Sequence, residues 1–185
     1  MAARDERLGG SYGSIGPARL LAVGALTVVS LAIQSTLLAR VTILGVIPQI
    51  VLVVVASLAY IDGERVGMTA GFFGGLLQDL LLPQSVVGLT ALVYTLVGYG
   101  VGVFRPFMQS ESVWAPVVVV AGASAVAEVS YAILSVIMGQ PWVDPGYTLK
   151  IAGLVVLYNT LLTPFVFPVV KKVSDRFRPE RVYRF

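Results

Sequence analysis

Residues 63–80 combine two features that a helix facing only lipid does not need. Gly67, Gly71 and Gly75 recur at every fourth position, which places them on one face of an α-helix. Small residues at this spacing allow the backbone of a neighbouring membrane helix to approach closely. A carboxylate, Asp79, follows near the far end, where an unpartnered charge would be unfavourable in lipid. The segment therefore predicts a helix that packs tightly against another helix.

The composition places the chain among integral membrane proteins. Of its 185 residues, 57% are hydrophobic and 12% are charged, and the mean hydropathy is +0.87. Soluble domains carry about 25% charged residues. The pI near 9.3 could indicate nucleic-acid binding, but the basic residues flank apolar segments and form no stripe. We therefore predict an all-α membrane protein with no nucleic-acid partner.

The residue types also restrict the chemistry. Cysteine and histidine are absent from the sequence, which excludes disulfides, thiol nucleophiles, imidazole bases and the usual zinc ligands. The sequence contains no phosphate-binding Gly-Lys-Ser loop. Asp79 and Glu128 could act as a catalytic pair only if the fold placed them in one site. We expect a protein that is not an enzyme, with no catalytic residue, cofactor or metal.

Short polar breaks divide the chain into six apolar segments, each predicted to be a transmembrane helix. The second should begin as a helix near Pro48, which leaves about 15 helical residues, or roughly 21 Å at 1.5 Å per residue. This length is short for a hydrocarbon core of about 30 Å. Pro164 and Pro168 should bend the end of the sixth helix. The predicted segments are 17–38, 40–62, 66–82, 86–104, 112–138 and 147–170.

The positions of Lys and Arg predict the orientation of this six-helix bundle. With a cytoplasmic amino terminus, eleven of the 13 basic residues lie on the cytoplasmic side, and Arg40 and Lys150 lie outside. Both termini are then cytoplasmic. We predict a flexible cytoplasmic leader at 1–16, a transmembrane domain at 17–170 and a basic cytoplasmic tail at 171–185. The eleven are Arg4, Arg7, Arg19, Arg65, Arg105, Lys171, Lys172, Arg176, Arg178, Arg181 and Arg184.

Polar side chains inside the predicted spans are candidates for function or for packing. Two interpretations of Asp79 stay open: a hydrogen-bonded anchor at a helix end, and a contact for an ion, substrate or partner. Glu128 has no basic residue at i+3 or i+4, so we expect a neutral side chain or an interhelical hydrogen bond. Asn159 is its candidate partner. Gln34 and Gln78 are expected at interhelical or interfacial positions.

A second pair of small residues, Gly98 and Gly102, lies in the fourth segment, and Gly100 and Ala91 reinforce it. The pair predicts a compact bundle in which the third and fourth helices pack closely. Whether the glycine faces meet within one chain or between two copies stays open, so a homo-oligomer remains an alternative.

Together these features resemble the rod-shape-determining protein MreD family. Pro48 opens the short second span, and the resemblance covers residues 48–102 by motif and the other helices by number and length. The matching motifs are Gly71-Phe72-Phe73-Gly74-Gly75-Leu76-Leu77-Gln78-Asp79, Gly88-Leu89-Thr90-Ala91-Leu92-Val93-Tyr94 and Gly98-Tyr99. The predicted partner-binding or helix-packing residues are Pro48, Gly67, Gly71, Gly74, Gly75, Asp79, Gly88, Gly98 and Gly102, with Glu128 and Asn159 as buried polar residues.

The resemblance implies a multi-pass scaffold in the bacterial cytoplasmic (inner) membrane that acts in the peptidoglycan synthesis complex of cell elongation. The implied partners are MreC, MreB indirectly, a RodA-type glycosyltransferase with its class B penicillin-binding partner, and membrane lipid. It also implies a fold related to the substrate-binding subunits of energy-coupling-factor transporters. The alternative function is such a subunit, binding a small vitamin-like molecule. The predicted outer loops offer few polar and aromatic residues, which favours the scaffold.

Overall fold

The computed structural model describes residues 16–40, 45–81, 86–108, 112, 114–140 and 144–177. The predicted leader, apart from Gly16, and the tail beyond Phe177 lie outside these residues. The described part is built from helices, with a short 3-10 turn at Leu38–Arg40 after the first. The helices are α1 Pro17–Thr36, α2 Ile50–Asp62, α3 Glu64–Leu81, α4 Leu89–Met108, α5 Ala115–Ile137 and α6 Pro145–Arg176.

The six predicted helices are all present, but two of them end later than predicted. α4 continues through Arg105 and Pro106 to Met108, so the expected end at Phe104 is wrong. A proline near the end of a helix removes one hydrogen bond and can be tolerated without stopping the helix. α6 continues past Val170 to Arg176. The first part of the basic segment 171–185 is therefore helical.

Among the described residues, four helices are long and apolar enough to cross a membrane: α1, α4, α5 and α6. α2 is apolar but has only 13 residues, or about 20 Å of helix. Its predicted shortness is thus confirmed. α3 has 18 residues, of which Glu64, Arg65 and Asp79 are charged. The structure is that of a helical membrane protein, and the number of spans remains a prediction.

The short helix α2 lies at the centre of the bundle. Every residue from Ile50 to Ile61 is buried, and α2 contacts each of the other five helices. A helix that is hydrophobic all round requires this position, because no face of it is suited to water. The closest helix pair is α3 with α4. Since Gly63 takes a positive φ of 92°, α2 and α3 follow each other through a very tight turn.

Candidate functional site

Glycines form the seam between α3 and α4. A Cβ atom built on Gly67 would lie 2.6 Å from the carbonyl oxygen of Gly98, and one on Gly75 would lie 2.5 Å from Cα of Ala91. A side chain at either glycine would overlap these atoms of α4, which belong to the backbone and cannot rotate away. The predicted close pairing of these helices is confirmed, and it occurs within one chain. Further along the seam, Gly71 meets the backbone of Tyr94 and Gly102 meets that of Glu64.

Two other glycines lie outside this seam. Gly74 faces α1 and α2, where an added Cβ would lie 2.9 Å from side-chain carbons of Thr27 and Val51. Gly100 has open space around it, with no atom within 4 Å of the built Cβ. The expectation that Gly100 reinforces the packing face of α4 is therefore wrong, because it lies on another side of that helix.

Asp79 binds the beginning of α4 from the end of α3. Its Oδ2 accepts hydrogen bonds from the backbone N–H groups of Gly88 (2.9 Å), Thr90 (3.0 Å) and Ala91 (3.2 Å). The first N–H groups of a helix have no partner within the helix, and a carboxylate there satisfies them and matches the helix dipole. Gly88 takes a φ of 95°, which suits the turn that delivers these amides. The geometry is that of a helix-end anchor, the first of the two interpretations.

The beginning of α2 is also bound by side chains from other helices. The helix begins at Ile50, two residues after Pro48. Ile50 is buried, so the amino end of α2 lies inside the bundle. Gln34 on α1 accepts a hydrogen bond from the N–H of Val51 (3.1 Å). Asn159 on α6 accepts one from the N–H of Gln49 (3.0 Å). The interhelical role expected for Gln34 is confirmed.

Gln49 joins the buried polar side chains into one network. Its Nε2 donates to Glu128 Oε1 (2.8 Å), and its Oε1 accepts from the Tyr94 hydroxyl (3.0 Å). Asn159 Nδ2 donates to the hydroxyl of Ser124 (2.9 Å). Glu128 does make an interhelical hydrogen bond, but its partner is Gln49 and not the candidate Asn159. Both residues instead bind Gln49, through its side chain and its backbone.

Three members of the network, Gln49, Tyr94 and Ser124, were not among the polar candidates predicted from the sequence. A signal for Gln49 was present, because it lies between a proline and a continuous apolar run, where a buried helix start needs hydrogen-bond partners. Tyr94 and Ser124 carry no comparable local signal. Serines and tyrosines are frequent in membrane helices, and only the packing of α4 and α5 brings these two to the network.

A cavity of about 250 Å³ adjoins the network. It lies between α3, α4, α5 and the residue that precedes α2. Its walls combine a few apolar side chains with amide, hydroxyl, phenol and carboxyl groups. The lining residues are Gln49, Gln78, Thr90, Val93, Tyr94, Ala127, Glu128 and Tyr131.

A second polar cluster closes the opposite end of α2. Asp62 forms an ion pair with Arg19 of α1 at 2.6 Å and accepts a hydrogen bond from Ser174 of α6 at 2.7 Å. Ser174 lies four turns of helix beyond Asn159, or about 22 Å along α6. The two polar clusters therefore lie at opposite ends of the central helix. Sequence reasoning used Arg19 only for orientation and did not single out Asp62.

The chemistry of these clusters is that of helix anchoring. Within the described ranges, no group of three acidic, histidine or cysteine residues is arranged to hold a metal ion. The buried side chains of Gln34, Asp79 and Asn159 accept hydrogen bonds from backbone N–H groups at helix ends that lie within the bundle. Membrane interiors require such internal pairing, since no water is available to replace it.

Four helices of the described part are able to cross a bilayer, and side chains inside the bundle bind the backbone groups of its helix ends. These features define a helical integral membrane protein. Comparison with known families is more specific. The chain matches the family described as rod shape-determining protein MreD over residues 18–173, and it belongs to that family. No curated protein and no solved structure matches it.

Membership in the MreD family defines the general role of this protein. The family acts in rod-shape determination and is associated with the rod-shape complex. Its members are structural membrane proteins and are not a known family of enzymes.

Proposed function

We propose that this protein is a membrane scaffold of the cell-elongation complex. It binds MreC and helps to position the RodA-type glycosyltransferase and its class B penicillin-binding partner during peptidoglycan synthesis, with MreB as an indirect partner. The supporting observation is the way α2 is held: its two ends are tied by side chains of α1 and α6, and its sides are covered by all five other helices. A rigid body of this kind suits a protein that holds others in place.

The proposed arrangement has six spans in the bacterial cytoplasmic (inner) membrane with both termini in the cytoplasm. The basic residues at the Arg19 end of the bundle and along the last turn of α6 support it. Family membership favours the scaffold over the vitamin-transport alternative, since the family role is rod-shape determination.

Co-purification tests this proposal. The protein is produced together with affinity-tagged MreC, the membranes are dissolved in a mild detergent, and the amount retained by MreC is measured. We expect retention well above that of an unrelated membrane protein of similar size. Equal retention of the two would contradict the scaffold proposal.

Matched glycine variants sharpen the experiment. Gly100→Leu adds bulk where α4 is open, whereas Gly75→Leu adds it against the backbone of Ala91. If the α3–α4 seam maintains the scaffold, MreC should retain the Gly100 variant like the parent and retain less of the Gly75 variant. Protein levels are measured in parallel to separate loss of binding from loss of the protein.

A further inference from the structure

A groove runs along the surface of the bundle between α1 and α3, apart from the cavity beside the polar network. Its volume is about 220 Å³. Val23, Thr27 and Ala70 form its floor and are buried, whereas Leu20 and Phe73 stand at its edges and are about half exposed. Since α1 is apolar and long enough to cross a membrane, the groove opens toward lipid.

The hydroxyl groups in the groove are already used as donors. The hydroxyl of Thr27 donates to the carbonyl of Val23 one turn earlier, at 2.8 Å. The hydroxyl of Thr69 donates to the carbonyl of Arg65 one turn earlier, also at 2.8 Å. The other side chains that line the groove are apolar, and Gly24 adds open space, because no atom lies within 4 Å of a Cβ built on it. The groove therefore suits an apolar occupant.

The dimensions of the groove favour a hydrocarbon chain over a helix. From Leu20 to Thr27 the groove follows α1 for about 10 Å, at 1.5 Å per residue. A volume of about 220 Å³ spread over that length leaves a cleft well below the helix diameter of about 10–12 Å. A hydrocarbon chain can lie along such a cleft, whereas a helix could insert only single side chains.

A basic residue lies at the end of the groove where α3 begins. Arg65 precedes Thr69 by one turn and Phe73 by two, so the three share one face of α3. Arg65 is exposed, and its side chain, like others on a helix, leans toward the amino end. The neighbouring Glu64 lies on another face, where its backbone contacts Gly102 of α4. Arginine has five N–H donors, so it can bind a phosphate in addition to another partner.

The groove and Arg65 together extend over the depth of one lipid leaflet. The Arg19–Asp62 ion pair places the beginnings of α1 and α3 at the same end of the bundle, because Asp62 comes two residues before α3. Thr27, at the far end of the groove, is ten residues beyond Pro17, or about 15 Å. This depth is half of a hydrocarbon core of about 30 Å. A phospholipid covers the same depth, with its chains inside and its phosphate at the surface.

We propose that this groove binds one hydrocarbon chain of an anionic glycerophospholipid, with the lipid phosphate held by Arg65. Charge complementarity selects the occupant. The groove takes the apolar chain, and the arginine at its surface end attracts a head group with a net negative charge. The proposal requires that α1 and α3 lie in the membrane, and it is independent of the binding of MreC.

Native mass spectrometry of the full chain tests the head-group preference. The protein in detergent micelles receives equal amounts of phosphatidylglycerol and phosphatidylethanolamine with identical hydrocarbon chains. Phosphatidylethanolamine has the same phosphate but balances it with an ammonium group, so phosphatidylglycerol should be retained about fivefold more. Glycerol 3-phosphate, which lacks the hydrocarbon chains, should not displace it. These comparisons use the unaltered protein and do not depend on the folding of any variant.

Two variants with matched controls identify the site. Arg65→Gln should lower the retention of phosphatidylglycerol about fivefold, to that of phosphatidylethanolamine. Arg40→Gln, which removes an exposed arginine beyond the other end of α1, should not. Gly24→Leu fills the groove and should lower the retention of both lipids at least fivefold, whereas Gly100→Leu, also in open space but outside the groove, should not. Thermal unfolding without added lipid shows whether each variant is folded.

Equal retention of the two lipids by the parent overturns the proposal, as does displacement of phosphatidylglycerol by glycerol 3-phosphate. A preference that persists in folded Arg65→Gln, or retention that persists in folded Gly24→Leu, also overturns it. If the parent forms a dimer that Gly24→Leu abolishes while lipid retention is unchanged, a second copy of the chain occupies the groove and the lipid proposal is wrong.

Discussion

Asp79 shows how a single charged residue can be placed inside a membrane helix bundle. Its Oδ2 serves three backbone N–H groups at the start of α4, with distances between 2.9 and 3.2 Å. The side chain is 2% exposed, so these amides are its replacement for water. A carboxylate used in this way fixes the distance between the end of α3 and the beginning of α4. We therefore expect substitutions of Asp79 to act through the fold.

We predict that Asp79→Ala lowers the free energy of unfolding by about 0.5–2 kcal/mol, the range measured for loss of a helix cap. Asp79→Asn should lose less, because it keeps a side-chain oxygen. Thermal unfolding in detergent measures the stability, and complementation of an MreD-depleted rod-shaped bacterium measures function together with membrane levels. Shape and protein level should fall in parallel. Loss of shape at normal protein level would instead assign Asp79 to a partner contact.

Asn159→Ala should also destabilise the protein, by about 1–3 kcal/mol, because it leaves the part-buried Gln49 N–H without its acceptor. Thr160→Val is the control on the same helix. The Thr160 hydroxyl donates to Val156 within α6, so its removal should change stability by less than about 0.5 kcal/mol. Chemical or thermal unfolding of the two variants checks the difference. Equal stability would contradict the importance of the Asn159–Gln49 bond.

At the level of elements, the seam between α3 and α4 depends on the absence of side chains. The atoms that face Gly67, Gly71, Gly75 and Gly98 are mostly backbone atoms of the opposite helix. Backbone cannot rotate away as a side chain can, so added bulk must separate the helices. α2, in contrast, relies on apolar side chains that fill the centre. The bundle thus combines one backbone-to-backbone seam with one conventional hydrophobic core.

Gly71→Leu and Gly75→Leu should each cost about 3 kcal/mol, the upper part of the range for overpacked cores. Gly122→Leu on α5 is the matched control, since no atom lies within 4 Å of the Cβ position. Membrane protein level and unfolding temperature are the measurements. The two seam variants should fall below the parent and the control should not. If all three variants behave like the parent, the close approach of α3 and α4 is not required for stability.

At the level of the whole molecule, topology is the central prediction. Two polar clusters lie at opposite ends of α2, and the end with the Arg19–Asp62 ion pair also carries the basic last turn of α6. The excess of basic residues predicts that this end is cytoplasmic. Both described ends of the chain then lie on the same side of the membrane.

Reporter fusions test this orientation. Alkaline phosphatase, which is active only outside the cytoplasm, should be inactive when fused after Phe185 and active when fused after Gln140, between α5 and α6. Green fluorescent protein at the same two positions should give the reverse pattern. Strong phosphatase activity at Phe185 would contradict the six-span arrangement.

The sequence by itself determined the helices and the region of tightest packing. Long apolar segments in a chain with few charges can satisfy their backbone groups only as helices in lipid, and four-residue glycine spacing creates a flat face. The sequence also predicted that α2 is short, because Pro48 and Asp62 lie at the two ends of its apolar segment. These features are local, so each can be recognised within a few turns of chain. The ends of α4 and α6 were predicted too early, because a proline or a basic residue near a helix end does not fix where the helix stops.

Only the tertiary structure decided which polar groups meet. Gln49 and Asn159 are 110 positions apart, and Gln49 and Glu128 are 79 apart. Asn159 was the candidate hydrogen-bond partner of Glu128, yet Gln49, which precedes α2, binds both residues. Hydrogen-bond partners depend on the rotation and depth of each helix, and changes of a few ångströms exchange one polar neighbour for another. The cavity beside Gln78 was decided in the same way, since its walls come from three helices and from the residue before a fourth.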